Sequence, residues 1–289
     1  MGIKKPLVLE VAHRTYAINE FGMVTCFLLW GTERGLLIDT GCGMYNIREI
    51  ADELCPVPYD VVLTQSHGDH TGCIDKWDEV YVHPADMDAL SEEKLSSASI
   101  PLGRYPKMMA QYGSFDAYDI TFEQEFKPQH APKYLPAPEG HVFDLGGGRK
   151  VDVIHTPGHT PGEIVLIDPT TRILFSGDAA NGNLGIRSTS INTALKGLLR
   201  VKAREADFDR NFNAHIGYGG SNVHKSQRDG VLDDCIWIMT GLVTGTLQPE
   251  MKQNPYRPGS DPVCMASHNG VVITLDPNRI IDEGEEPAV

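Results

Sequence analysis

Apolar positions in the first third of the chain come in short extended runs separated by glycine turns. Val24 to Trp30, the turn Gly31 to Gly35 and Leu36 to Asp39 form the pattern of an antiparallel hairpin. A helix is expected across Tyr45 to Leu54, ended by Pro56 and Pro58. The run from Asp60 to Thr64 reads as a short buried strand that stops at a cluster of polar and glycine residues. After another strand at Val80 to His83, the stretch Pro84 to Pro138 loses this rhythm. It holds helix-like segments at Ala85 to Leu95 and Tyr105 to Tyr112, and reads either as a helical insertion covering a site at the strand ends or as a plain structural excursion.

Strand signals return at His141 with a hairpin turn at Gly146 to Gly148. They continue through Lys150 to His155, Glu163 to Ile167, the turn Asp168 to Thr171, and Arg172 to Ser176. Helical pattern follows at Ile191 to Arg204 and Arg228 to Leu242, where Cys235 to Met239 reads as core. A last strand pair is expected at Val263 to Ala266 and Val271 to Leu275. Strands in two batches, each followed by helix, fit two sheets packed face to face with helices outside better than one parallel sheet. The expected fold is a layered α/β architecture, an αββα sandwich. Residues 1–289 are read as one domain, with 84–138 inserted.

Composition narrows the function classes. The hydrophobic fraction is 41%, enough for a substantial core, and 22% charged with 8% aromatic residues is ordinary globular usage. With 25 Lys and Arg against 39 Asp and Glu, the formal charge is -14, which repels polyphosphate backbones and argues against nucleic-acid binding. Small-molecule substrates are expected instead. Asp282, Glu283, Glu285 and Glu286 read as a solvated acidic tail.

The stretch Pro6 to Ile18 carries Glu10, His13 and Arg14 and so lacks the apolar core of a signal peptide. No run approaches the roughly 18 apolar residues of a membrane span, so a cytoplasmic protein without membrane contact is expected. Cys26, Cys42, Cys55, Cys73, Cys235 and Cys264 are scattered, with no C-x-x-C pair, and read as small apolar residues.

Candidate chemistry is densest at Thr64-Gln-Ser-His-Gly-Asp-His-Thr71, which puts His67, Asp69 and His70 within four positions directly after a predicted buried strand. Imidazole and carboxylate are the usual non-thiolate ligands of zinc and similar cations. A polar turn with capping residues would leave the same local pattern. Three further segments each present one candidate ligand after a strand-like run: Thr156-Pro-Gly-His-Thr-Pro-Gly162 offers His159, Phe175-Ser-Gly-Asp-Ala179 offers Asp178, and Asn213-Ala-His-Ile-Gly217 offers His215.

In their order and spacing these motifs resemble the metallo-β-lactamase superfamily, whose pattern is H-x-H-x-D-H, then T-P-G-H-T-x-G, then G-D, then a last His. Leu37-Ile-Asp-Thr-Gly41 matches an earlier feature of the family, and the resemblance runs from Val24 to Gly217. It implies a four-layer αββα sandwich with metal at the edge between the sheets. It also implies a first metal site at His67 and His159, a second at Asp69, His70 and His215, and Asp178 bridging the two. Asp39 is implied to lie behind the ligands, accepting the spare ring N–H of a ligand histidine.

Where the family pattern opens with His, this chain has Gln65, a neutral amide that is a poorer donor for zinc. Either Gln65 is a weak third ligand of the first site, or that site is partly empty. The second site, with Asp178, is expected to fill first.

Of the remaining histidines, His13, His83, His130, His141 and His268 read as surface or packing residues, and His155 as a core residue or one that supports a ligand. His224 is a rival to His215 that lies in a helix-start context. The resemblance implies a hydrolase that uses a metal-bound hydroxide on a small ester-like substrate, a lactone or thioester, with Asp69 orienting the hydroxide or passing a proton. The expected cofactor is a divalent metal, zinc first and iron or manganese next, as one or two ions. The alternatives are an iron-dependent oxidoreductase on the same scaffold, or a metal-binding protein without catalysis. Tyr218 and Asn181 are candidate pocket residues, and Lys225 and Arg228 candidate anion contacts. Nothing in the chain speaks to oligomeric state.

Overall fold

The computed structural model describes residues 5–97, 130–216, 225–255 and 259–289. Seven strands form the first sheet in chain order: β1 (Leu7–Ala12), β2 (Thr15–Glu20), β3 (Val24–Trp30), β4 (Gly35–Ile38), β5 (Tyr59–Val62), β6 (Glu79–Val82) and β7 (Lys133–Pro136). Pairing is antiparallel from β1 to β4 and parallel from β4 to β7. The second sheet contains β8 (Val142–Asp144), β9 (Lys150–His155), β10 (Ile164–Asp168), β11 (Ile173–Gly177) and β13 (Arg210–Asn213), in the order β13-β11-β10-β9-β8. A third, smaller sheet joins β12 (Asn183–Gly185) to β16 (Val271–Thr274), β15 (Val263–His268) and β14 (Glu250–Lys252). Helices α1 (Ile47–Leu54), α2 (Glu92–Ser97), α3 (Ile191–Lys202) and α4 (Val231–Val243) complete the described elements.

The period of two along each central strand divides its side chains between layers. On β3 and β4, Phe27, Leu29, Leu36 and Ile38 face the second sheet, while Leu28 and Leu37 face α1. On β10 and β11, Ile164, Leu166, Ile173 and Phe175 face the first sheet, while Val165, Ile167 and Leu174 meet α3 and α4. Both faces of these strands are buried, so their sequences are continuous apolar runs rather than alternating ones. Phe27, Phe175 and Phe212 meet between the sheets, with ring centroids 4.9 Å and 5.9 Å apart. The result is the expected four-layer αββα sandwich.

Several elements differ from the sequence reading. β1 and β2 were not distinguished, because β1 is a half-exposed edge strand with mixed residues. The insertion ends earlier than Pro138, since Lys133–Pro136 is β7 and pairs with β6 in the core sheet; its two flanking prolines disguise a four-residue strand. The helix expected at Ala85 to Leu95 is instead a 3-10 turn over Pro84–Leu90 and the short α2, divided at Ser91, where ψ is 151°. The helix expected at Tyr105 to Tyr112 lies outside the described residues. Among the described residues no helix is long and apolar enough to cross a membrane, and all six cysteines are unpaired.

The acidic C-terminus is not simply solvated. Ser190 caps α3 by accepting the Thr193 N–H at 3.0 Å, and its hydroxyl donates to Glu285 at 2.6 Å. Thr193 Oγ1 and Asn192 Nδ2 also donate to Glu285, and Asn192 Oδ1 accepts the Ala288 N–H. A carboxylate at the N-terminus of a helix is further favoured by the helix dipole. Partial burial opposes ionisation of Glu285, but the Ser190 and Thr193 hydroxyls outweigh it and bring the carboxyl down to about 2. Its stabilising contribution is therefore present above the unfolded carboxylate range, near pH ~4.3, and is lost as the pH falls through about 2. Glu285→Ala should cost about 1 kcal/mol at neutral pH, the typical worth of a helix cap. In urea titrations the gap between wild type and variant should narrow as the pH falls across that window. A gap that stays constant would show that the tail carboxylate does not hold α3.

Candidate metal centre

All the candidate residues lie where strands end, at one edge of the two facing sheets. Asp39 follows β4, Gln65 to His70 follow β5, His159 lies between β9 and β10, Asp178 follows β11, and His215 follows β13. Parallel strands with their C-terminal ends side by side bring such loops together. The loops after β4 and β5 are tied by backbone: Thr40 N donates to His70 O at 2.8 Å and Gly72 N to Gly41 O at 2.7 Å. Any side chain at Gly72 would strike the Cys42–Gly43 peptide, with a Cβ only 2.2 Å from Gly43 N, so glycine is required at this crossing.

Three histidines share one arrangement. His70 Nδ1 lies 2.9 Å from Asp39 Oδ2, His159 Nδ1 2.8 Å from the Gly185 carbonyl, and His215 Nδ1 2.8 Å from the Met23 carbonyl. Each acceptor fixes the proton on Nδ1, so the neutral ring directs its Nε2 lone pair the other way. Those Nε2 atoms converge on one carboxylate, at 3.1 Å from Asp178 Oδ1 for His215, and at 3.3 Å and 3.6 Å from Asp178 Oδ2 for His159 and His70. Asp69 approaches from the open side, with Oδ2 3.6 Å from His215 Nε2 and Oδ1 3.9 Å from His70 Nε2. Ligand atoms of Asp69, His70 and His215 lie within 4.8 Å of one another. His67 sets its ring edge against His159, with centroids 4.7 Å apart.

Lone pairs facing a carboxylate repel unless a cation lies between them. In the chain alone that cation is a proton. Burial works against charge on His70 and His215, but Asp39 and Asp69 around the first and Asp178 beside the second outweigh it. His70 is held well above the ordinary histidine range and His215 is raised to about 9. Burial would also raise Asp178, yet His215 and His70 keep it well below the carboxylate range; the same two rings lower Asp69 against its burial. His67 moves the opposite way, to about 4, through loss of water around its ring and the neighbouring His159. The donor set therefore fits a divalent cation: three pre-aimed imidazoles and two ionised carboxylates.

Gln65 is fully buried in the same cluster. Its Nε2 donates to Asp178 Oδ2 at 2.7 Å and lies 2.8 Å from His70 Nε2, while Oε1 has no hydrogen-bond partner. An amide nitrogen offers no lone pair to a metal, so Gln65 can ligate through oxygen only after its amide turns over. Asp39, with a left-handed φ of 64°, does what was expected of it and also accepts Thr64 N at 2.7 Å and Thr64 Oγ1 at 2.8 Å.

Other candidates take structural parts. Asn181 is buried beneath Asp178, donating to the Asp178 carbonyl at 3.0 Å. Arg228 is engaged by Asp234 and by the Asn269 carbonyl at the start of α4, which removes it as an anion contact. Lys225 is exposed, while Tyr218 and His224 lie outside the described residues. His155 stacks on His83, with centroids 3.8 Å apart, and its Nε2 lies 2.9 Å from the Pro161 carbonyl, which steadies the His159 loop. Two buried carboxylates that sequence reasoning passed over grip the same loop. Asp86 accepts Thr160 Oγ1 at 2.7 Å and Gly162 N at 2.6 Å, and Glu163 reaches the backbone of two ligand residues. A charged residue directly before the apolar run Ile164 to Ile167 was the available signal for Glu163. Asp86, inside the irregular segment, had none.

The chain belongs to the metallo-beta-lactamase superfamily, whose family model matches residues 19–215. It is similar to the human acyl-coenzyme A thioesterase MBLAC2, at 30% identity over 171 residues, 53% of this chain and 56% of that protein. It also resembles the probable metallo-hydrolase YqgX of Bacillus subtilis, at 23% identity over 55% of this chain and 67% of that one. The chain thus spans just over half the length of the thioesterase relatives it matches. Among solved structures, an archaeal superfamily protein from Sulfolobus tokodaii aligns with a TM-score of 0.52 at 18% identity, over 82% of this chain and 86% of that one. The DIM-1 metallo-beta-lactamase aligns at 0.53 and 15% identity, over 82% of this chain and 97% of that one.

Freed of metal by chelation, the protein should show His215 titrating near pH 9 and His67 near pH 4 in imidazole NMR spectra. Because the folded pKa of His215 is raised, its charge stabilises the metal-free fold fully below ~6.5, and that contribution is lost as the pH rises through about 9. A His215 midpoint near the ordinary histidine value would mean that Asp178 does not face it as described.

Proposed function

We propose that this protein is a metal-dependent hydrolase of small ester-like substrates, thioesters foremost. The observation that carries the reading is the convergence of three Nδ1-anchored imidazoles on Asp178. Superfamily membership and the likeness to acyl-coenzyme A thioesterases support the reaction class and direct the substrate choice toward thioesters. His70, His215, Asp69 and Asp178 would hold the principal ion, with His159 and His67 on the other side of Asp178. Zinc suits imidazole and carboxylate donors, and iron or manganese accept the same set. A divalent ion held by these residues would supply Lewis-acid chemistry, lowering the pKa of water and polarising a carbonyl.

The chain's own residues do the rest. The Asp39, Gly185 and Met23 acceptors keep the imidazoles aimed. Asp69 is the catalytic candidate: its carboxylate stays ionised beside His70 and His215 and is partly open to solvent, so it can accept a proton from water and return it to the leaving thiol. The surface charge of -14 disfavours polyanionic nucleic-acid substrates.

Wild-type protein should hydrolyse a short acyl-coenzyme A, with free thiol released and detected colorimetrically. Asp178→Ala should reduce turnover to the uncatalysed background. Turnover that survives in the Asp178→Ala chain would overturn the assignment.

Gln65 makes stoichiometry the second test. With an amide in place of the third imidazole on the His67 side, one metal equivalent per chain is expected by elemental analysis. Gln65→His should raise it to two. A variant that still binds one would show that Gln65 is not what limits the second ion.

A further inference from the structure

We propose that Glu163 is the positioning residue that locks His159 and Asp178, ligand candidates on two different loops, into a single geometry; this rests on the metal-centre reading above. Glu163 is completely buried. Its Oε1 accepts the backbone N–H of Asp178 at 3.1 Å, and its Oε2 accepts the backbone N–H of His159 at 3.4 Å. The Glu163 carbonyl takes the Thr156 N–H at 2.8 Å, closing the base of the His159 loop. The next residue, Ile164, donates to the Thr64 carbonyl at 2.9 Å, immediately before Gln65. Glu163 thus joins the His159 loop to the Asp178 segment, and its neighbour Ile164 ties both to the segment that carries Gln65.

Its chemistry matches that task. Each Glu163 oxygen faces one backbone N–H, and both oxygens of a carboxyl group carry lone pairs that can receive it; an amide of the same shape has one acceptor, and its NH₂ would oppose the second N–H. For folding alone an apolar residue would serve better here. Glu163 stands at the head of β10, where Ile164, Val165, Leu166 and Ile167 are all fully buried, and isolating a charge from water is costly unless it is fully hydrogen-bonded. Burial and the like charge of Asp178 push the Glu163 carboxyl well above its ordinary range. A buried carboxyl at this position is accounted for by what it holds in place, which is the relative placement of two candidate ligand residues. Losing a residue that orients ligands typically weakens metal affinity by about 10–100-fold.

The test uses chelator-stripped full-length protein loaded with cobalt(II), with affinity read by competition against a chromophoric chelator and coordination read from the visible spectrum. Glu163→Gln preserves volume and should weaken cobalt affinity by about 10–100-fold with an altered visible band. Val165→Ala, on the same strand but facing the helices, provides a control that loses stability without touching either loop; it should keep wild-type affinity and spectrum. Glu163→Asp retains both oxygens and should bind more tightly than Glu163→Gln. Wild-type affinity and spectrum in Glu163→Gln would overturn the role of Glu163 alone, as would equal weakening in Val165→Ala. Failure of the wild-type chain to take up cobalt would overturn the metal-centre reading, and this inference with it.

Discussion

Asp178 is kept ionised inside the protein by His70 and His215, and these rings, with His159, face it because their opposite nitrogens are held. The three holding groups differ: the Asp39 carboxylate, the Gly185 carbonyl and the Met23 carbonyl. Each is delivered by a different sheet region, with Asp39 at the end of β4, Gly185 in β12 and Met23 in the turn before β3. Remove one, and a ring gains the freedom to turn its proton toward the carboxylate and away from any bound cation. The electrostatics of the centre therefore depend on backbone placement as much as on the ligands.

That placement comes from the sandwich. Strands buried on both faces cannot slip by one residue without moving an entire apolar set to the wrong layer, so the register of β3, β4, β10 and β11 is strongly specified. Residues just beyond their ends inherit that precision. The third sheet contributes through β12, whose parallel pairing with β16 presents the Gly185 carbonyl to His159. The acidic tail in turn secures α3, which packs on the outer face of the second sheet. Distant parts of the chain thus bear on one metal-sized volume.

The division between what sequence revealed and what it hid follows from this. The candidates His67, Asp69, His70, His159, Asp178 and His215, which the fold brings together, were legible because residues just past strand ends keep their side chains inside short glycine-bounded motifs. Asp39 was legible for the same reason. The carbonyls of Met23 and Gly185 were not, since a backbone acceptor leaves no residue signature and lies far along the chain from the histidine it orients. The sandwich itself could be read from runs such as Val24 to Trp30 and Ile164 to Ile167, whereas β7 and β12 are too short, and β1 too mixed, to register as strands. Glu285 read as surface charge because its partners, Ser190 and Thr193, are more than ninety positions away.

Gln65 is where local pattern and three-dimensional chemistry diverge most. As a letter in a motif it replaces one ligand with a weaker one. In the folded chain its amide nitrogen donates to Asp178 Oδ2 at 2.7 Å and lies 2.8 Å from His70 Nε2. This leaves the amide oxygen buried without a partner, a cost of about 1–3 kcal/mol. In this arrangement Gln65 is a hydrogen-bond donor to Asp178, and its oxygen would reach a ligand position only with the amide turned over.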